Sequence, residues 1–295
     1  MEIREPERLT PVVGEADVIV VGSGPGGLSA AIAAARAGVS VILIERFGCF
    51  GGNITSVGVE GFAWYRHEKT VEAGGLAFEY EQRAIESNAA VPESQSKSYE
   101  LDSEGFKVVA DDLVLEAGVR PMLHRAFCAP ILEGEEIKGV ITESKAGREA
   151  IIGKIIIDAT GDADVARRSG VKVFKNKKED MISASVMFHM SGVNKEEFMN
   201  EIERDPQKYS DWSDKNWQVQ TSGKEDDMFS PFLRKPFEKA KDSGLIDSDL
   251  QTISGTWGAI HDTGELTYLN LVHLNGIDGT CLLYTSPSPR DTLLS

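Results

Sequence analysis

Cysteine is scarce in this 295-residue chain: three residues, Cys49, Cys128 and Cys281, with no Cys-x-x-Cys pair. That excludes a disulfide-built scaffold and leaves too few thiolates for a four-thiolate iron–sulfur cluster. The five histidines show no metal-ligand spacing, so no metal site is expected. Positive charge is in deficit, 31 Lys and Arg against 47 Asp and Glu, for a formal net charge of −16. An acidic surface repels phosphate backbones, so a nucleic-acid ligand is not expected. No apolar run is long enough to span a bilayer. Residues 1–15 are polar and charged, unlike a signal peptide, and a cytoplasmic location is the default expectation.

What is present is a globular composition, 41% apolar and 26% charged, in a chain long enough for two domains. Residues 17–21 (Asp-Val-Ile-Val-Val) read as a short buried strand. A glycine-rich turn follows, Gly22-Ser23-Gly24-Pro25-Gly26-Gly27. An alanine-rich helix is expected over 28–37 with Gly38 as its C-cap, then a buried strand over 39–44. This is one β-α-β unit. A helix over 69–87, a polar loop over 88–103, a helix over 106–117 and a strand over 119–123 come next. Residues 126–132, 136–143 and 148–152 alternate as an antiparallel meander, and 154–159 read as another buried strand. Residues 181–190 read as a strand entering a second domain. The chain then turns polar, with Trp212, Trp217 and Trp257 expected as packing residues or, alternatively, a flat substrate pocket.

Gly22, Gly24 and Gly27 form G-x-G-x-x-G directly after a strand and at the opening of a helix. Gly22 permits the tight turn, Gly24 lets backbone approach a pyrophosphate, and Gly27 lets helix pack on strand. The helix N-terminus adds free N–H groups and a positive dipole end. Glu45 ends the second strand, where a carboxylate accepts the 2′- and 3′-hydroxyls of a ribose and repels a 2′-phosphate. FAD or NAD fits; NADP does not.

The segment Glu45-Arg46-Phe47-Gly48-Cys49-Phe50-Gly51-Gly52-Asn53-Ile54-Thr55 follows at once. A third motif is Ile157-Asp158-Ala159-Thr160-Gly161-Asp162-Ala163-Asp164. With these, the sequence resembles bacterial FAD-dependent oxidoreductases of the glutathione-reductase type. It is most similar to those related to fumarate reductase flavoproteins and to the heterodisulfide reductase flavin subunit. The resemblance covers nearly all of residues 15–280. It implies Gly51 and Gly52 at the phosphates, and Asn53, Thr55 and Ser56 nearer the isoalloxazine. It implies backbone at Thr160 and Gly161 closing over the dinucleotide, and adenine contacts near Phe127. Gly22, Gly24, Pro25, Gly26, Gly27, Glu45, Arg46 and Asp162 complete the expected FAD contacts, with helix capping as the plainer role of Asp162. The Gly51-Gly52 segment and Ala159-Thr160-Gly161-Asp162 argue against an NAD-dependent dehydrogenase.

The chain departs from the disulfide reductases of that group, whose redox cysteines follow the paired glycines; here Asn53, Ile54 and Thr55 stand there. Cys49 reads as a packing residue, with a redox thiol as the alternative. Tyr65, Arg66 and His67 are candidates for moving a substrate proton, with an exposed loop cluster as the plainer reading. The expected fold is α/β: a Rossmann-like FAD-binding domain, parallel sheet plus antiparallel meander, over 1–62 and 105–182. A second α+β substrate or cap region takes 63–104 and 183–280. Residues 281–295 resemble one reading frame of a transposon-based sequencing-library adapter. They are expected to be a non-native tail on a fragment whose natural chain continues past Thr280. The expected function is hydride or electron transfer between a small organic substrate and FAD. The alternative is a non-catalytic FAD-binding fragment or electron-transfer subunit working with a redox partner protein.

Overall fold

Val18-Ile19-Val20-Val21 and Val41-Ile42-Leu43-Ile44 are apolar at every position, so both faces of each strand must be covered. In the computed structural model they lie side by side at the centre of a six-stranded sheet. The structure describes residues 3, 6–60, 66–67, 71–72, 74–92, 99–177, 180–181, 184–204, 239–246 and 260–274.

In chain order, β1 is Val12–Val21, α1 Pro25–Arg36 and β2 Val41–Ile44, followed by a π-helical turn, Asn53–Val57. Next come β3 (Arg66–His67), β4 (Val71–Glu72), α2 (Leu76–Glu86), β5 (Ala90–Pro92), β6 (Tyr99–Leu101) and α3 (Ser103–Glu116). Then follow β7 (Arg120–Met122), β8 (Ala126–Glu133), β9 (Glu136–Ser144), β10 (Gly147–Asp158) and α4 (Asp164–Arg168). The last are β11 (Ala184–Met190), α5 (Lys195–Arg204) and β12 (Leu266–Leu274).

The sheet order is β7-β2-β1-β10-β9-β8. The pairs β7–β2, β2–β1 and β1–β10 are parallel; β10–β9 and β9–β8 are antiparallel. Two strands expected at 148–152 and 154–159 are one. The first half of β10 pairs with β9 and its length from Ala150 onward pairs with β1. Gly153 lies between the two expected runs, and a Cβ there would meet the Ile19 side chain at 2.7 Å. A residue that reads as a break is a close-packing point instead.

Strand alternation sorts the core. Ile19, Val21, Ile42, Ile44, Met122, Val140 and Ile151 share one cluster with Val165 of α4. Against the opposite layer, α1 packs on β1 and β2, and α3 packs on α1 and β7. Leu28, Ile32, Phe106 and Leu113 are fully buried, each contributing about 1.5–3 kcal/mol of burial. α2 lies against α3, and two-pronged ion pairs tie it down, Arg36 to Glu79 and Arg83 to Glu116. Lys154 and Ser40 both hydrogen-bond Asp17, the lysine most strongly, and hold its carboxyl well below the usual range.

Several local boundaries differ from the sequence reading. β1 starts at Val12, five residues early, because its first half finds a partner in β10. α1 starts at Pro25, whose fixed φ suits a first helical turn. α2 starts only at Leu76, because Gly75 stands before it at φ +62°. The expected polar loop over 88–103 contains β5, β6 and the N-cap Asp102, whose Oδ1 accepts from the Gly105 N–H.

The chain divides into two compact units. One comprises Met1–Glu60, Lys69–Ala90 and Leu101–Val173; the other comprises Gly61–Glu68, Val91–Glu100 and Phe174–Ser295. The expected cap segment 63–104 is therefore split. Residues 69–90 and 101–104 join the first unit, since α2 and the start of α3 pack within it, whereas 174–182 join the second. In the second unit β11 pairs antiparallel with β12, and Ile260, Leu266 and Leu269 form a small core with Val193 and Phe198. Trp212, Trp217, Trp257 and the tail 281–295 lie outside the described residues. Among the described residues no helix is long and apolar enough to cross a membrane, and no cluster of His, Cys, Asp or Glu has the make-up of a metal site.

Candidate functional site

The carboxyl ends of β1, β2 and β10, the start of β8 and the N-terminus of α1 surround one groove of about 920 Å³ in the first unit. Four segments meet there: 21–27, 44–47, 52–57 and 158–168, with Arg125, Ala126 and Phe127 at one side. This is where an open parallel sheet places its ligand.

The glycines of the first loop fall into two groups. A Cβ at Gly22 would lie 2.3 Å from the Ala159 carbonyl oxygen, and one at Gly27 would lie 1.9 Å from the Gly22 oxygen. Packing fixes both as glycine. Among the described residues, and apart from chain neighbours and the helix's own backbone, Cβ atoms at Gly24 and Gly26 would meet nothing within 4 Å, and Gly24 has φ −60°, open to any residue. Neither crowding nor backbone explains glycine at these two positions, and both line the groove. α1 begins there with no side-chain cap and no acidic residue in its first turn, which leaves its positive end to a ligand anion. Gly52 closes the cradle: at φ +54°, its added Cβ would stand 2.6 Å from the Gly24 Cα, so the two glycine loops touch. This combination fits the diphosphate of a dinucleotide.

Glu45 is buried at the end of β2 and lines the groove. Its Oε2 accepts from the Ser23 N–H at 2.9 Å and the Ser23 hydroxyl at 2.6 Å, and its Oε1 accepts from the Phe47 N–H at 2.8 Å. An ionised carboxylate has about four acceptor positions. Among the described residues three donors are in place, two on Oε2 and one on Oε1.

Of the expected contacts, Gly22, Gly24, Pro25, Gly26, Gly27, Glu45, Arg46, Gly52, Asn53, Ser56, Phe127, Thr160 and Gly161 line the groove; Gly51, Thr55 and Asp162 do not. Gly51 sits behind it, its N–H donating to the Ser23 carbonyl at 2.9 Å. Thr55 is buried, its hydroxyl donating to the Phe50 carbonyl. Asp162 is exposed and caps nothing; Ala163 stands at the N-cap. Two other residues hold the start of α4. Asp158 accepts from Thr160 and from the Ala166 N–H, and the Thr160 hydroxyl accepts from the Asp164 N–H.

The sequence reading missed Ser23, Arg125, Asp158, Ala163 and Arg168, all of which line the groove. Ala163 signals itself only in the fold, as a non-glycine residue at φ +55°. Arg168 lies 5.5 Å from the Phe127 ring centroid and donates to the Cys128 carbonyl; Arg46 lies 4.7 Å from the Phe47 ring centroid. Arg125 pairs with Glu149. Cys49 is half-buried, with Sγ 3.7 Å from the Ser56 hydroxyl. Tyr65 lies outside the described residues, and Arg66 and His67 are described only as the backbone of β3, in the second unit.

Thiamine thiazole synthases of Saccharolobus islandicus are 30% identical over 171 residues, 54% of this chain and 60% of theirs. That of Sulfolobus acidocaldarius is 28% identical over the same length. The chain thus spans less than two thirds of these curated relatives. Among solved structures, a geranylgeranyl bacteriochlorophyll reductase-like protein of Thermoplasma acidophilum is 23% identical, with a TM-score of 0.49 over 61% of this chain and 48% of that one. Residues 17–272 match the FAD dependent oxidoreductase family. The chain belongs to that family, with FAD as its cofactor.

Proposed function

We propose that this protein passes a hydride or electrons between a small organic substrate and FAD held in the groove of the first unit. The observation that carries the reading is the pair Gly24 and Gly26, glycines that the protein's own packing does not require, at an uncapped helix N-terminus. In this reading that loop, the start of α1 and Gly52 hold the diphosphate. Glu45 Oε1 takes a ribose hydroxyl. Asn53 and Ser56 lie along the path to the flavin ring, and Phe127 stands toward the adenine. Bound FAD supplies the redox chemistry, while the protein's residues orient it and control proton access. Tyr65, Arg66 and His67 are proposed as proton-transfer groups. The finer kinship, with glutathione-reductase-type flavoproteins close to fumarate reductase and the heterodisulfide reductase flavin subunit, rests on the order of the three motifs.

Turnover tests the reading. The flavin is reduced by continuous illumination with a sacrificial amine donor without oxygen, and consumption of each of a panel of small quinones, enoates and imines is followed against a control lacking the protein. Multiple turnovers with one acceptor support oxidoreductase action on a small substrate. Consumption only when a partner protein is added would favour an electron-transfer subunit.

A further inference from the structure

Ser23 occupies a variable position of the glycine motif, where neither turn nor phosphate approach dictates the residue. It is nevertheless fully buried, and three of its groups are engaged. Its N–H and hydroxyl both donate to Glu45 Oε2, at 2.9 and 2.6 Å, and its carbonyl accepts from the Gly51 N–H at 2.9 Å. One residue thus joins the first glycine loop, the end of β2 and the second glycine loop. The same contacts hold the three segments together, with Gly52 against Gly24. The Phe47 N–H on Oε1 completes the restraint on the carboxylate.

We infer that Ser23 is a positioning residue for the dinucleotide, acting through Glu45: its hydroxyl fixes the carboxylate so that one Oε1 acceptor position faces the groove. The hydroxyl matters because a buried carboxylate that loses a donor must re-solvate or turn, and either movement takes that acceptor away from the ribose. A fixed acceptor also removes an ordering cost from binding. The inference rests on the FAD reading above and adds a residue that acts on the nucleotide through another.

The experiment is titration of the apo-chain with FAD, followed by flavin fluorescence, for wild type, Ser23→Ala, Ser23→Cys, Glu45→Gln and the Ser23→Ala/Glu45→Gln double variant. Urea denaturation of each apo-chain gives the structural contribution separately. We expect Ser23→Ala to raise the FAD Kd by about tenfold or more, the scale of a hydrogen bond to a charged group. Ser23→Cys, a weaker donor of similar size, should fall between. In the Glu45→Gln background, loss of the Ser23 hydroxyl should add no more than about twofold, since both changes remove one coupled interaction. A Kd within about twofold of wild type for Ser23→Ala, even with reduced stability, overturns the inference and leaves the FAD reading intact; so do fully additive effects. If Ser23→Ala does not fold, the Ser23→Cys titration decides by the same criterion. Failure of the wild-type chain to bind FAD overturns both.

Discussion

The glycines of the first loop answer two different demands, and a single methyl group separates them. At Gly27 an added Cβ would meet backbone at 1.9 Å, whereas at Gly24 it would point into open groove. Gly27→Ala should therefore break the contact of α1 with β1 and destabilise the apo-chain by about 3 kcal/mol or more. Gly24→Ala should change apo stability by about 1 kcal/mol or less, the difference between these residues at an N-cap. It should nevertheless weaken FAD by more than about tenfold, because the methyl fills space the diphosphate needs. Urea denaturation and FAD titration of the two variants check this, and unimpaired FAD binding by Gly24→Ala would contradict it. Elsewhere at this scale, burial pushes the Glu81 carboxyl from its ordinary 4.5 up to about 7. The folded chain then holds a proton that the unfolded chain releases. The stabilisation is full below about pH 4.5 and is lost as pH rises through about 7. Glu81→Gln should flatten the fall in urea midpoint between pH 4.5 and 7 relative to wild type; an unchanged slope would show that other groups set it.

Elements were legible in the sequence where local pattern and tertiary need coincide. The first β-α-β unit, the antiparallel meander and the body of α3 are in place because apolar runs and glycine turns signal the same elements, whereas the Asp102 cap that starts α3 three residues early went unread. Errors arose where the deciding partner lies far away in sequence. β10 is read as two strands because nothing local shows that one strand serves β9 and β1 in turn. α4 is a five-residue helix whose start depends on Asp158, six residues upstream, and not on Asp162 beside it. Asp158→Ala should cost about 1–2 kcal/mol by freeing the N–H groups of Thr160 and Ala166, measured as a lowered thermal midpoint. Asp162→Ala should be near neutral. An equal loss from both would return the cap to Asp162. The Arg36–Glu79 pair, by contrast, is substantially exposed and offers about 1 kcal/mol at most despite its two-pronged geometry.

At the scale of the molecule, most of the groove's glycines were readable because each is defined by spacing from a strand end. Ser23, Arg125, Asp158 and Arg168 were not, because their roles are contacts between segments 22 to 40 residues apart or, for Asp158, a cap on a later helix. The compact units differ from the expected domain bounds for a similar reason: α2 packs with the first unit through α3, which no local composition announces. What the four groove segments share is a set of donors, an uncapped helix start and missing side chains arranged for one dinucleotide. The most direct test is the absorption spectrum of the purified chain after incubation with FAD and removal of the excess, with the cofactor released by heat and identified. The account predicts oxidised-flavin bands and about one FAD per chain, displaced by ADP because the adenosine and diphosphate share the glycine cradle. A colourless chain, or flavin retained equally well by Gly24→Ala, would contradict it.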